Sequence, residues 1–344
     1  MSSIGSVKRK IDWWLNGRKW AKKISQQSVE ERDYLARAYD DRTPISASDA
    51  AKLKPDNRKL LDLRSRYAQL DLPAVKHMQW GERATDFISD HLKFFRGDTP
   101  YVWHYRDSKK VTELKYFVFL EYIAKRDNRN LLDILIEDGA FGCWHFNYPG
   151  MPVVSRDLLD SINEILYLDR QLGIFGKESL RVLDVGAGYG RLAHRMVSAL
   201  PNVVDYCCVD AIPESTFLCG FYLEHCRISP RARAVPLYDV QQNLAPGQFD
   251  LAVNIHSFSE CTLEAVTWWV GEISRLAIPN LLIVPNEPDE LLTKEGLGVR
   301  LDFMPVLESA GYTLQHKEPV LDNPAVQKLV DVYDNFYLFS RREP

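Results

Sequence analysis

The stretch LDVGAGYGR, beginning at Leu183, constrains this chain more than any other feature, because it joins an apolar run directly to a helical segment through three glycines. Gly186, Gly188 and Gly190 allow a tight turn and a close approach to a ligand with no Cβ in the way. The helix that follows offers free backbone amides at its N-terminus. Around this unit short apolar runs alternate with helical segments. The expected strands are 181–185, 204–209, 232–236, 251–255, 281–284, 312–317 and 335–340, with helices at 191–200, 215–226, 263–276 and 301–309. Seven strands with helical crossovers predict a doubly wound, Rossmann-like α/β sheet, since parallel neighbours need long connections. No helix is evident between the last two strands, which predicts a closing antiparallel hairpin.

Two details set the loop apart from a dinucleotide fingerprint. The glycines follow G-x-G-x-G, with Arg191 where the third glycine of G-x-G-x-x-G would fall, and Asp184 precedes the loop. That combination favours S-adenosylmethionine. Asp210 closes the second strand twenty residues after Gly190, where a carboxylate can accept from both ribose hydroxyls. Cofactor contacts are therefore expected from Asp184, Gly186, Ala187, Gly188, Tyr189, Gly190 and Arg191, and from Asp210 and Ala211. Tyr238 and Asp239, after the third strand, are placed to flank an adenine ring, and Asn254 on the fourth strand completes the set.

At these residues the chain resembles class I methyltransferases. More narrowly it is similar to the sugar O-methyltransferase family, through SRDLLDSINEILYL from Ser155, LDVGAGYGRLAHR from Leu183 and NIHSFSECT from Asn254. The likeness covers about the last 190 residues. It implies a seven-stranded methyltransferase sheet behind a mainly helical N-terminal region, and a sugar or glycan as substrate. Residues 1–150 are expected to serve substrate recognition or oligomerisation, and residues 151–344 to form the methyltransferase domain.

Methylation of a hydroxyl needs alignment for in-line displacement and removal of a proton. Ligands of α/β sheets bind outside the carboxyl ends of the strands. His256, at the end of the fourth strand, is the first candidate for the base, with Glu260 orienting it or acting in its place. His145, in the loop CWHFNYPG, is a second candidate; Trp144, Phe146 and Tyr148 beside it either stack on a sugar or pin the loop. Asn286, Glu287 and Asp289 offer oxygen ligands to substrate hydroxyls or to Mg2+. His194 and His225 lie within helical stretches and are read as packing or surface residues.

The charge is split, with 27 Lys and Arg against 21 Asp and Glu in residues 1–150, and 16 against 26 in the remainder. This suggests different partners for the two regions, or contact between them, and not the continuous basic face of a nucleic-acid binder. Residues 7–24 hold seven basic side chains and three tryptophans; Val7, Ile11, Trp14 and Leu15 share a helical face that can touch anionic lipid or pack on protein. No apolar run has the length of a membrane span and no signal peptide is evident, so a cytoplasmic location is expected, with peripheral membrane contact as an option. The six cysteines show no CxxC pair and read as reduced, mostly buried thiols. Trp268 and Trp269 leave room for a dimer interface. Two alternatives stand beside sugar methylation: a methyltransferase for RNA ribose or another small-molecule hydroxyl, and a non-catalytic scaffold that keeps the fold.

Overall fold

The computed structural model describes residues 43–76, 90–97 and 112–342. The reading of residues 7–24 lies outside these residues.

The strands are β1 (His145–Phe146), β2 (Val154–Ser155), β3 (Leu180–Val185), β4 (Val203–Asp210), β5 (Ala232–Pro236), β6 (Leu251–Ile255), β7 (Asn280–Val284), β8 (Tyr312–Pro319) and β9 (Asn335–Arg341). β3 to β9 form one seven-stranded sheet in the order β5-β4-β3-β6-β7-β9-β8. β5 through β7 pair in parallel, while β9 is antiparallel to both neighbours. This is the doubly wound, Rossmann-like seven-stranded sheet that the sequence predicts. The strand order reverses between β3 and β6, and such a switch point opens a crevice at the carboxyl edge.

The helices are α1 (Ala47–Lys52), α2 (Arg58–Tyr67), α3 (Asp90–Lys93), α4 (Thr112–Ala124), α5 (Leu131–Ile134), α6 (Arg156–Leu172), α7 (Arg191–Ala199), α8 (Pro213–His225), α9 (Val240–Asn243), α10 (Leu263–Arg275), α11 (Met304–Ser309) and α12 (Pro324–Val330). Alternate strand residues feed opposite faces. Val182 and Cys208 join a core with α4, α6 and α7; Leu183, Val185, Cys207 and Val209 join one with α2, α8 and α10. α6 is set firmly at its start: the Ser155 side chain accepts from Leu158 N–H (3.1 Å), and Gly173, at φ +61°, ends the helix.

Two expectations need correction. β8 and β9 do pair, but α12 lies between them in sequence and β9 sits inside β8 in the sheet. The signal for α12 is brief: Asn323 accepts from Ala325 and Val326 N–H ahead of Pro324, and the helix spans only seven residues. The segment 139–155, expected as a plain loop, contains the β1–β2 pair. The described parts of residues 1–150 contribute to the sheet's cores: Leu60, Leu63 and Tyr67 belong to one, and Tyr116, Phe119 and Tyr148 to the other. Among the described residues no helix is long and apolar enough to cross a membrane.

Candidate active site

The glycine loop is shaped by what crowds it. Gly186 has φ +74°, donates to Val209 O (2.9 Å), and would place an added Cβ 2.1 Å from Ser257 Oγ. The loop after β6 thus approaches too closely for any side chain here. Gly190, at φ +87°, caps α7. Between them Gly188 N–H donates to Asp210 Oδ2 (3.0 Å), and Ile212 N–H donates to Asp210 Oδ1 (2.9 Å). One carboxylate therefore ties the loop after β3 to the turn after β4. Asp184, one strand over, accepts from the Tyr206 hydroxyl (2.9 Å).

These elements enclose a cleft at the switch point, about 1240 Å³ with its open mouth included. Its floor is acidic and buried: Asp157, Asp184, Asp210 and Glu260 are each less than a tenth exposed. Burial pushes the carboxyls of Asp184 and Asp210 up to about 7, against the opposing pull of the Tyr206 hydroxyl on the first and of the Ile212 and Gly188 amides on the second. Arg191 also lines the cleft, but its guanidinium is held by Glu164 in a two-point ion pair (2.8 and 2.8 Å) and by Ser161 Oγ (2.8 Å).

The rim has a different character. Arg156 and Asp160, on the first turns of α6, form an ion pair (2.6 Å) with both side chains 19% exposed. His256 also lines the cleft. Its φ is +68°, unusual for a residue with a side chain, and its N–H donates to Val284 O (2.7 Å). His256 Nε2 lies 3.6 Å from Asp334 Oδ2, an ion-pair distance and longer than a hydrogen bond. Glu260 accepts from Asn286 Nδ2 (3.2 Å).

Asp184, Gly186, Ala187, Gly188, Tyr189, Arg191, Asp210, Ala211, His256 and Glu260 are thus brought together around one cleft. Other candidates are not. Asn254 is fully buried: its Nδ2 donates to Val185 O (2.8 Å) and Ser257 Oγ (2.6 Å), and its Oδ1 accepts from Phe258 N–H, so it braces the strand ends instead of lining the cleft. Tyr238 and Asp239 are absent from the lining, and the Tyr238 ring carries the Arg66 guanidinium 3.3 Å from its centroid. His145 turns Nδ1 to Cys143 O (3.2 Å), away from the cleft lining. Trp144, Phe146 and Tyr116 pack on one another, and the Tyr148 hydroxyl donates to Glu113 O (2.6 Å). The aromatics pin this segment. Glu287 pairs with Arg300 and Asp289 with Lys317 (3.1 Å); among the described residues no group of three His, Cys, Asp or Glu side chains is arranged to hold a metal ion. Trp269 is buried and lines the cleft, so it is not free for an interface. His194 packs against Tyr222, and burial lowers its imidazole to about 3.

Several residues around the cleft escape the sequence reading. Arg156, Asp157, Asp160 and Glu164 recur along α6 at helical spacing. A polar stripe on a helix otherwise filled with Leu and Ile was the available signal. Tyr67 and Asp334 gave none, because they arrive from distant segments. The Tyr67 hydroxyl accepts from Leu237 N–H (2.8 Å), meets Thr216 Oγ1 (2.9 Å) and lies 3.2 Å from Asp210 O, so α2 clasps the ends of β4 and β5. A second clasp is fully buried: Glu137 accepts both from Arg96 (3.0 and 3.0 Å) and from Arg195 (2.8 Å), while Tyr189 of the glycine loop donates to Asp157.

No family model and no curated protein matches the chain. Among solved structures it is similar to the [4+2]-cyclase SpnF, with 15% identity over 55% of this chain and 84% of that one (TM-score 0.41). It is also similar to magnesium protoporphyrin IX methyltransferase from Synechocystis PCC 6803 with bound S-adenosylmethionine, with 13% identity over 55% and 85% (TM-score 0.39). A third is the 1,6-didemethyltoxoflavin-N1-methyltransferase of Burkholderia thailandensis with bound S-adenosylhomocysteine, with 19% identity over 53% and 76% (TM-score 0.38).

Proposed function

We propose that this chain is an S-adenosylmethionine-dependent methyltransferase acting on a sugar hydroxyl. The observation that carries the reading is the Asp210 carboxylate, bridging Gly188 N–H and Ile212 N–H on a cleft floor that also holds Asp184 and Glu260. Its unused lone pairs suit ribose hydroxyls, and buried acids favour a ligand bearing sulfonium and ammonium charges. The donor set therefore fits this cofactor. When bound, it supplies a methyl group already activated by sulfur.

The protein's own work is then alignment and proton removal. Asp210 holds the ribose, and the backbone of Gly186 to Gly190 lets the ligand approach. Asp184 and Glu260 balance the positive charge. His256, at the mouth beside β6, takes the hydroxyl proton. An acid floor opposes phosphate, which speaks against RNA as the acceptor. The sugar itself is carried by the resemblance of Ser155–Leu168, Leu183–Arg195 and Asn254–Thr262 to the sugar O-methyltransferase family.

Calorimetric titration with S-adenosylhomocysteine tests the first half. Micromolar binding is expected, weakened at least about tenfold in Asp210→Ala, one lost charge-assisted contact being worth roughly 1.5–3 kcal/mol. Absence of binding by folded protein would sink the reading. A labelled methyl donor with a sugar panel tests the second half, and His256→Gln should lower turnover there by about 10²–10⁴-fold, leaving a measurable residual rate, without weakening the titration.

A further inference from the structure

The cleft divides by burial and by charge. Its floor acids are nearly inaccessible, whereas Arg156, Asp160 and His256 on its lining, and Asp334 beside His256, keep 19–30% of their side chains exposed. Partly exposed polar groups can exchange water for ligand hydroxyls at small cost, which buried groups cannot. The four sit together. Arg156 and Asp160 pair at 2.6 Å, and Asp334 acts on two groups, lying 3.6 Å from His256 Nε2 and contributing to the field on Arg156. Burial disfavours the Arg156 charge, yet Asp160 first, then Tyr116 and Asp334, hold its guanidinium above the ordinary range. Glu164 faces His256 electrostatically from α6 but is occupied by Arg191.

The rim sets a guanidinium and an imidazole beside two carboxylates, so it offers hydrogen-bond donors and acceptors together. A phosphorylated or carboxylated ligand would meet Asp160 and Asp334 here and four more acids below. Uncharged hydroxyls match both signs. We propose that Arg156, Asp160, His256 and Asp334 form the acceptor subsite, that it takes a neutral, hydroxyl-rich ring, and that Asp334 positions the His256 imidazole. The proposal rests on the methyltransferase reading for its consequence, though not for the binding itself. With Nε2–H directed at Asp334, the ring lone pair is on Nδ1, and Nδ1 receives the proton of the acceptor hydroxyl. Asp334 is a positioning residue, since it acts through the imidazole.

Saturation-transfer NMR on the full chain tests the subsite, with methyl α-D-mannopyranoside as probe, mannose 6-phosphate as comparison, and each run with and without S-adenosylhomocysteine. The wild type should saturate the methyl glycoside, and Asp160→Asn and Asp334→Asn should each cut the signal at least about threefold while S-adenosylhomocysteine affinity stays within about twofold. Lys76→Ala, on the surface, should change nothing. No saturation in the wild type, equal saturation in the variants, or a stronger response to the phosphate overturns the subsite. Loss of S-adenosylhomocysteine binding alone overturns the methyltransferase reading and leaves the subsite standing. For the positioning role, Asp334→Asn should lower kcat about tenfold with KM for the methyl donor unchanged, and should add nothing on top of His256→Gln. Multiplying losses in the double variant would show that Asp334 acts apart from the imidazole.

Discussion

The sheet and the N-terminal segments that lie on it are held by different physics. β3 to β7 are secured by parallel ladders and by Val, Leu, Ile and Cys side chains alternating into two cores. The segments before residue 150 add apolar area to those cores, but their orientation is set by buried polar groups: Arg96 and Arg195 on Glu137, Tyr67 on Leu237 and Thr216, and Arg64 on Glu214 (2.7 Å). Apolar packing tolerates exchange of one shape for a similar one, while a buried charge left without its partner does not. The attachment of the N-terminal segments should therefore be the more fragile part of the molecule, although the sheet carries the glycine loop.

The sharpest way to break this contrast is Glu137→Gln, which takes the shared carboxylate from two buried guanidinium groups and leaves Arg195 without its ion-pair partner, while Arg96 keeps Asp138 (3.1 Å). A loss of about 3–5 kcal/mol in urea unfolding is expected. A loss under about 1 kcal/mol would mean the clasp does not set the attachment. Gly186→Ala comes next, combining positive φ with the 2.1 Å approach to Ser257 Oγ; about 2–3 kcal/mol should be lost, together with S-adenosylhomocysteine binding. Tyr67→Phe strips a partner from Leu237 N–H and Thr216, for about 1–2 kcal/mol, and should weaken S-adenosylhomocysteine through the Asp210 turn more than it lowers the melting temperature.

Acid and base should separate the two regions as well. Arg96 and Arg195 overcome the effect of burial and hold the Glu137 carboxyl far below its ordinary range, so its contribution is present above the unfolded value near 4.3 and is lost as pH falls through the folded one. Asp184 and Asp210 act in the opposite sense. Their folded carboxyls sit at about 7, above about 3.9 in the unfolded chain, so the folded state binds more protons and stability falls as pH rises from about 4 to about 7. A cationic ligand should discharge these acids, and calorimetry near pH 6.5 in two buffers of different ionisation enthalpy should read protons released on binding. Uptake would contradict the assignment of the floor. At the small end, Lys76→Ala removes the exposed pair with Glu264 (3.3 Å) and should cost no more than about 0.5 kcal/mol.

Legibility in the sequence follows the same division. Strands such as Ala232–Pro236 and Leu251–Ile255 are local apolar runs between turns, and their bounds are readable without the rest of the chain. The glycine loop and Asp210 are separated by one helix and one strand of a single strand–helix–strand unit, so their spacing alone brings them together. His145 and Tyr238 carried the right chemistry in plausible places, but which way a side chain turns depends on neighbours such as Arg66 that no local pattern reveals. Asn254 is instructive: an amide at a strand end reads as a ligand group, and its side chain here satisfies Val185 O and Phe258 N–H where two strands end side by side. The α6 stripe lay in plain view, and only the helix placement turned it into a wall of the cleft.

The place of β9 inside β8 has a consequence for synthesis. β7 cannot gain its outer neighbour until Asn335–Arg341 has left the ribosome, and β8, though made earlier, has no sheet to join before then. A nascent chain that already has its glycine loop and Asp210 still lacks Asp334, the residue immediately ahead of that strand. During translation the glycine loop and Asp210 can thus be in place ahead of Asp334, and a prematurely terminated product would present an unpaired strand edge to the quality-control machinery.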